Sequence, residues 1–281
     1  MEISSLWVNT QFAIGRAPHA LRLKSLERKI LTPFIQIDFE NEYYQVKTVN
    51  HPEELVQVLM LRFEVFFREF STQKISFSLF PYDVDLHDFA CDHLIVKDKT
   101  EGTVVACYRL MSSTNPRRRS RFYSEGEFAF DALLAAPGNK LELGRACVHK
   151  DYRKGTVIGL LWKGLIEYAR KSETRYMFGC SSINRKDFSA LPEILGYLEK
   201  QDAFISDFPV GVRRKYKMNS PAVAGEAPAG AKPLNSLMHM YLLAGAKLGR
   251  ELAYDGEMDC LDMFTLMDMT RLPASFERRF S

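Results

Sequence analysis

The stretch Leu141-Glu142-Leu143-Gly144-Arg145-Ala146-Cys147-Val148-His149, followed by Asp151-Tyr152-Arg153-Lys154-Gly155-Thr156-Val157-Ile158 and Leu160-Leu161-Trp162, decides the fold. Its first part predicts a strand. Thr156 to Arg170 predicts a helix, because Val157, Leu161, Leu165 and Tyr168 mark one face and Ile158, Trp162 and Ala169 widen it. Tyr176 to Ile183 then reads as a buried strand, so strand, helix and strand form a parallel crossover. A strand that ends in a glycine-containing turn and feeds a helix aims several backbone N–H groups at one point, where the helix dipole also favours an anion. A phosphate or pyrophosphate fits there. For the spacing of Gly155 and Gly159 taken alone, an ordinary strand-to-helix turn is the competing reading.

Outward from this unit, Tyr43 to Val49 alternates as a strand, and Asn50-His51-Pro52-Glu53 starts a helix, since proline fits the first turn and Glu53 suits the dipole. Leu55, Leu59, Arg62, Phe66 and Phe70 carry that helix on one stripe, flanked by Val58 and Phe63. Ser71 to Ala90 breaks the period and holds an acidic group. His93 to Val96 and Val104 to Leu110 read as a hairpin around Lys99-Thr100-Glu101-Gly102. Further on, the pattern predicts a helix over Leu191 to Gln201, a strand over Val210 to Met218, a Pro/Ala/Gly-rich loop over Ser220 to Lys232, a helix over Leu237 to Leu248 and a final strand over Cys260 to Met269.

Residues 1–40 read as an amphipathic extension. Leu23, Leu26, Ile30 and Leu31 recur at helical spacing beside Arg22, Lys24, Arg28 and Lys29, a face suited to an anionic membrane surface or to packing on the body with its cations solvated. The expected organisation is one α/β (α+β) domain over 41–281, with a core at 43–218 and a C-terminal helix and strand within 233–281.

Composition excludes several classes. With 38 Lys+Arg against 35 Asp+Glu the 281-residue chain carries a net charge of +3, and 46% hydrophobic with 26% charged residues describes a globular protein with a sizeable core, not a disordered one. That balance gives no reason to expect nucleic acid as a partner. Five widely spaced cysteines without a C-x-x-C pair argue against zinc ribbons and disulfide frameworks. His87, His93 and His149 form no metal-ligand spacing, and no metal is expected. The longest uncharged stretch, Pro233 to Ala246, is shorter than the roughly 20 residues of a spanning helix. Without a secretory leader, a cytoplasmic protein with reduced thiols is expected.

The donor-type unit resembles the acyl-donor motif of the GCN5-related N-acetyltransferase (GNAT) superfamily. Arg62-x-x-x-Phe66, Asp83-x-Asp85-x-x-Asp88, Asp92-His93, Arg109, Phe122-Tyr123-Ser124-Glu125 with Phe128, Glu142-x-x-Arg145 and Tyr152-Arg153, in this order, resemble the ornithine-acyl carrier protein N-acyltransferase family, whose skeleton is similar to that of acyl-homoserine-lactone synthases. The resemblance covers about Tyr43 to Ile183, and the region from Ala244 to Asp262 also looks like the ornithine-type family. It implies a mixed central sheet flanked by helices and splayed at the acyl-donor site. Val148, Arg153, Lys154, Gly155, Thr156, Val157 and Ile158 would then hold the donor, acyl-phosphopantetheine or acyl-CoA, with no permanently bound cofactor. The loop Arg153-Lys154-Gly155-Thr156-Val157-Ile158-Gly159 departs from the regular glycine repeat of acetyltransferases, which favours a donor on acyl carrier protein over free coenzyme A. Carrier proteins are acidic, so Arg117-Arg118-Arg119 with Arg121, or Arg213-Arg214-Lys215 with Lys217, could steer one.

The implied reaction is attack of an amino acid's α-amine on a thioester, with a long-chain, 3-hydroxyacyl group transferred and a lipid product released near the inner face of the membrane. Glu142 is the expected general base, with Arg145 as its charge partner or as the anchor for the acceptor's carboxylate. Alternation would put these two on opposite faces, so a bulge at Gly144 is expected. Asp83, Asp85 and Asp88 suit a cationic acceptor such as ornithine, or the ordering of Arg62 and Arg109. A calcium loop fits less well, since its sixth position is Asp88 and its twelfth Leu94. A Cys147 nucleophile beside His149 competes with a buried inert cysteine. Phe63, Phe66, Phe67 and Phe70 suit an acyl tunnel or simply core. The classes that remain open are another amine acceptor, as in signal-molecule synthesis, and a non-catalytic carrier-protein or lipid-binding module.

Overall fold

A computed structural model of the protein describes residues 31–70, 81–153, 155–217 and 234–280, the side chain of Phe70 excepted. The amphipathic positions up to Ile30, the first part of the Ser71 to Ala90 segment, Lys154 and the loop over Ser220 to Lys232 lie outside the described residues.

In chain order the elements are β1 (Asp38–Glu40), β2 (Tyr44–Thr48), α1 (Pro52–Phe63), β3 (Asp92–Asp98), β4 (Thr103–Ser112), β5 (Phe128–Ala129), α2 (Asp131–Ala135), β6 (Asn139–Val148) and α3 (Thr156–Lys171). They continue as β7 (Thr174–Asn184), α4 (Leu191–Lys200), β8 (Gly211–Val212), α5 (Ser236–Leu243), β9 (Lys247–Asp255), β10 (Cys260–Asp268) and α6 (Ala274–Phe280). Helix α1 starts on Pro52 with Glu53 and Glu54 in its first turn, and runs into a π-helical stretch, Glu64–Phe70.

The chain divides into two units. The first holds the described residues up to Met111 together with Asn115–Arg119 and Arg145–Ser172; the second holds Ser112–Thr114, Ser120–Gly144 and Glu173 onward. In the first unit β1, β2, β3 and β4 pair antiparallel in that order. The last part of β6 follows, with His149 donating its N–H to the Val105 carbonyl at 2.8 Å. Val46, Leu94, Trp162, Leu165, Ile166 and Ala169 are fully buried, so the face of α3 read from the sequence is the face that packs.

In the second unit the first half of β6 pairs parallel with β7, from Asn139 opposite Thr174 to Leu143 opposite Gly179. β7 pairs antiparallel with β10, and β10 with β9. The crossover is therefore parallel, as its strand, helix and strand pattern predicts, inside a mixed and mostly antiparallel arrangement. The parallel ladder stops at Leu143 and Gly179, where the backbones crowd: a Cβ at residue 179 would sit 2.2 Å from the Leu143 carbonyl oxygen. Phe122, Phe128, Phe130, Phe178 and Phe264 stack in the core of this unit with ring centroids 4.6–5.6 Å apart. Each such ring contributes about 1.5–3 kcal/mol by burial.

Several expectations are corrected. The strand over Val210 to Met218 shrinks to β8, because Arg213, Arg214 and Lys215 in succession leave no apolar face, and a 3-10 turn over Arg214–Tyr216 takes their place. The helix over Leu237 to Leu248 ends at Leu243 in a Schellman closure, Ala246 N–H to Tyr241 O and Gly245 N–H to Leu242 O, both 2.9 Å. Lys247 and Leu248 of that run open β9, whose Lys247, Arg250, Glu251 and Asp255 mask its alternation and suit a sheet edge. Next to Gly144, where a bulge is expected, Arg145 adopts a left-handed φ of +50°. Helix α6 and strand β1 carry too few residues for a periodic signal.

Candidate active site

Three arginines and three aspartates of the first unit close into an alternating ring. Arg62, at the end of α1, donates Nε to Asp83 at 2.7 Å; Asp83 accepts from Arg145 Nε at 2.9 Å; Arg145 Nη2 reaches Asp85 at 3.3 Å. Asp85 accepts from Arg109 Nη1 at 2.7 Å, Arg109 Nη1 reaches Asp88 at 3.1 Å, and Asp88 returns to Arg62 Nη1 at 2.7 Å. The ring sums to zero charge, which is how six ionic groups are tolerated at a largely buried site. The local fold that delivers the aspartates is a 3-10 turn over Leu86–Phe89 with a reciprocal cap. Asp85 accepts from the His87 N–H and Asp88 accepts from the Asp85 N–H, both at 2.8 Å.

Burial governs the electrostatics of the ring. It would lower the Arg62 and Arg109 pKa values, but the facing aspartates outweigh it and both rise above the ordinary arginine range. Burial works against ionised Asp88, yet Arg62 and Arg109 hold its carboxyl well below the usual range. His93, beside Arg109 in the β3–β4 register, is pushed down to about 4 by burial, partly opposed by Asp88, so it is neutral at pH 7. The ring is not uniform in depth. Arg62 is fully enclosed, whereas Asp85 and Arg145 keep 26% and 18% of their side chains exposed and form the solvent-facing edge.

The donor loop follows Val148. Arg153 donates Nε to the Val148 carbonyl at 3.0 Å and pairs through both terminal nitrogens with Glu69. Tyr152 donates its hydroxyl to Asp98 at 3.0 Å, tying the loop to the β3–β4 hairpin. Gly155 is the N-cap of α3 at φ +98° and ψ −44°, a conformation that side-chain-bearing residues rarely adopt, and its cap position makes no side-chain hydrogen bond to the helix. Gly155 and Thr156 are exposed, while Val157 is buried and Ile158 half-buried, so Val157 can serve a ligand only through its backbone.

Glu142 lies in the second unit, on β6, and is 5% exposed. Its two oxygens accept the backbone N–H groups of Tyr123 at 2.8 Å and Ser124 at 2.7 Å, so it anchors the Phe122-Tyr123-Ser124-Glu125 turn. The structure thus gathers Arg62, Asp83, Asp85, Asp88, Arg109 and Arg145 into one ring, and Arg145 gives its guanidinium to Asp83 and Asp85. Cys147 is buried with its Sγ 3.4 Å from that of Cys107, and burial pushes its thiol up, which disfavours the nucleophile reading. Phe63 and Phe67 stack at 5.5 Å, with Phe63 buried and Phe66 packed on the core.

One polar group escaped the sequence reading. In the second unit Glu127 hydrogen-bonds Asp262, Cys180 donates its thiol to Glu127 at 3.6 Å, and Ser182 donates its hydroxyl to Asp262 at 2.6 Å. Burial first, then the charge of Asp262, pushes Glu127 up to about 9, so this pair keeps a proton at neutral pH. Donor atoms of Glu127, Cys180 and Asp262 lie within 4.8 Å of one another, close enough for a cation, but the protons within the group already bridge them. The available signal was an acid inside an otherwise apolar strand, Cys260-Leu261-Asp262-Met263-Phe264.

Residues 61–163 match the acetyltransferase (GNAT) domain family. The chain is 29% identical over 234 residues to an L-ornithine N(alpha)-acyltransferase of Rhodobacter capsulatus, covering 80% of this chain and 90% of that protein. It is 30% identical over 208 residues to one of Rhizobium meliloti, covering 69% of each. Among solved structures it is similar to an N-acyl amino acid synthase from uncultured soil microbes, with a TM-score of 0.46 and 9% identity over 84% of this chain and 93% of that one.

Proposed function

Because the chain belongs to the family of L-ornithine N(alpha)-acyltransferases, and so is an N-acyltransferase, we propose that it moves a long-chain 3-hydroxyacyl group from acyl carrier protein to the α-amine of ornithine. The product would be an acylated amino acid of the lyso-ornithine-lipid type. The observation that carries the acceptor reading is the outer edge of the charge ring: Asp85 and Arg145, side by side and part-exposed, offer one anion and one cation. An amino acid zwitterion presents the complementary pair.

In this reading the bound α-ammonium first releases a proton to solvent, and the resulting neutral amine attacks the thioester carbon. Glu142 takes the proton that leaves the nitrogen, directly or through a water. As the carbonyl re-forms, the C–S bond breaks and the departing sulfur is protonated to the thiol. The helix start at Gly155–Ile158, together with Arg153, supplies the anion-binding groups for a pantetheine phosphate. An acidic carrier protein would meet exposed Arg119 and Arg121, or Arg214, Lys215 and Lys217. No helix among the described residues is long and apolar enough to cross a membrane. Work at the inner membrane face would therefore rest on peripheral contact.

The test is incubation of the purified protein with 3-hydroxyacyl and unsubstituted acyl thioesters, on carrier protein and on CoA, against a panel of amino acids, with products read by mass spectrometry. N-acylornithine from the carrier-protein donor is the expected product. Signal-type products would move the acceptor assignment, and no acylated amine from any pairing would remove the enzymatic reading.

A further inference from the structure

We infer that Glu69 is a latch on the donor arginine: its carboxylate occupies the face of Arg153 that a donor phosphate must take, and the donor binds by displacing it. The inference rests on the reading of Arg153 as a donor-phosphate ligand.

The geometry is that of a substitute anion. Arg153 Nη1 and Nη2 meet Glu69 Oε1 and Oε2, the second pair at 2.7 Å. Two parallel N–H···O bonds are the arrangement in which a guanidinium holds either a carboxylate or a phosphate. The third donor, Nε, is given to the Val148 carbonyl of the same loop, so the guanidinium is oriented from behind and its fork is the edge Glu69 holds.

The pair is also placed to open. Arg153 and Glu69 keep 37% and 31% of their side chains exposed, in contrast to the enclosed Arg62 pairs of the ring. An exposed pair is a weak bond that another anion can replace. Glu69 stands in the π-helical stretch Glu64–Phe70, not in a regular α-helical turn. Such stretches are uncommon and recur at functional sites, since they re-aim side chains off the helical stripe. A thioester without phosphate does not have to displace Glu69, so the latch weakens the binding of phosphate-bearing donors and leaves phosphate-free ones unaffected.

The test uses the full chain and four forms: wild type, Glu69→Gln, Arg153→Gln and the double variant. CoA and holo-acyl carrier protein are titrated calorimetrically, and KM is measured for an acyl-CoA and for the matching N-acetylcysteamine thioester, which lacks phosphate. Glu69→Gln is expected to tighten CoA and lower the acyl-CoA KM roughly two- to fivefold, the range of an exposed ion pair. It should leave the N-acetylcysteamine KM unchanged, and the double variant should bind CoA like Arg153→Gln. A merely structural pair cannot yield that gain in affinity. If Arg153→Gln weakens CoA while Glu69→Gln leaves it unchanged or weaker, the latch is overturned and the donor loop stands. If neither substitution alters binding of CoA or of holo-acyl carrier protein, the donor-loop reading falls and the latch with it.

Discussion

Asp88 clamps Arg62 with both carboxylate oxygens, Oδ1 at 2.7 Å from Nη1 and Oδ2 at 3.3 Å from Nη2, and at most 5% of either side chain is exposed. Two charges placed this deep are stable only as a pair, because removing one leaves the other desolvated without compensation. Asp88→Asn should therefore cost about 3–5 kcal/mol, a fall in Tm on the order of 10 °C for a protein of this size. Thermal unfolding of the variant checks it. A shift within 2 °C would show that the ring is held by packing and not by its charges.

His93 sets an acid limb. Its pKa is lowered from 6.5 to about 4 in the folded protein, so between those values the unfolded chain takes up a proton that the native state refuses. Stability must fall as pH drops through this window, by up to about 1.4 kcal/mol per unit. Urea unfolding at pH 7, 5.5 and 4.5 should show the loss in wild type and a shallower slope in His93→Gln. Equal slopes would place the acid limb elsewhere.

Glu127 predicts the opposite sign. Its carboxyl is raised from 4.5 to about 9, so the native state keeps a proton that the unfolded chain releases. The stabilisation is complete below about pH 4.5 and is lost as pH rises toward 9. Glu127→Gln mimics the protonated form and should flatten the fall in stability between pH 6 and 9. An unchanged alkaline profile would mean that the pair ionises freely.

Glu142 has two separable roles, since the carboxylate that would take the amine's proton also holds the Tyr123 and Ser124 N–H groups. Glu142→Gln keeps one acceptor oxygen and loses the base. General-base catalysis contributes about 10²–10⁴-fold, so kcat should fall at least a hundredfold at saturating substrates while the variant remains folded by circular dichroism. A folded variant losing less than tenfold would reduce Glu142 to an anchor of the Phe122–Glu125 turn.

The legible part of the fold was its periodic part. The face of α3, the β3–β4 hairpin and the parallel β6–β7 crossover follow from spacings of two to four residues. Edge strand β9 was hidden because a half-exposed strand carries charges where a buried one carries apolar residues. The ring aspartates were legible as a concentration of negative charge in one loop and its arginines through the resemblance to the ornithine-type family, and the Glu127–Asp262 pair was not, because its members are 135 positions apart and neither belongs to a charged run.

By itself the sequence determined the strand, glycine-containing turn and helix of the donor loop and the six charged residues of the ring, since local backbone preference and side-chain type act over a few residues. Only the tertiary structure decided their partners. Asp83 and Arg145 are 62 residues apart, Arg145 turns to its aspartates through a left-handed φ, Glu69 reaches Arg153 across 84 residues, and Glu142 finds backbone N–H groups 18 and 19 residues earlier. A buried charge pairs with whatever group packing brings to it after water is removed, and that choice is made by the folded chain as a whole.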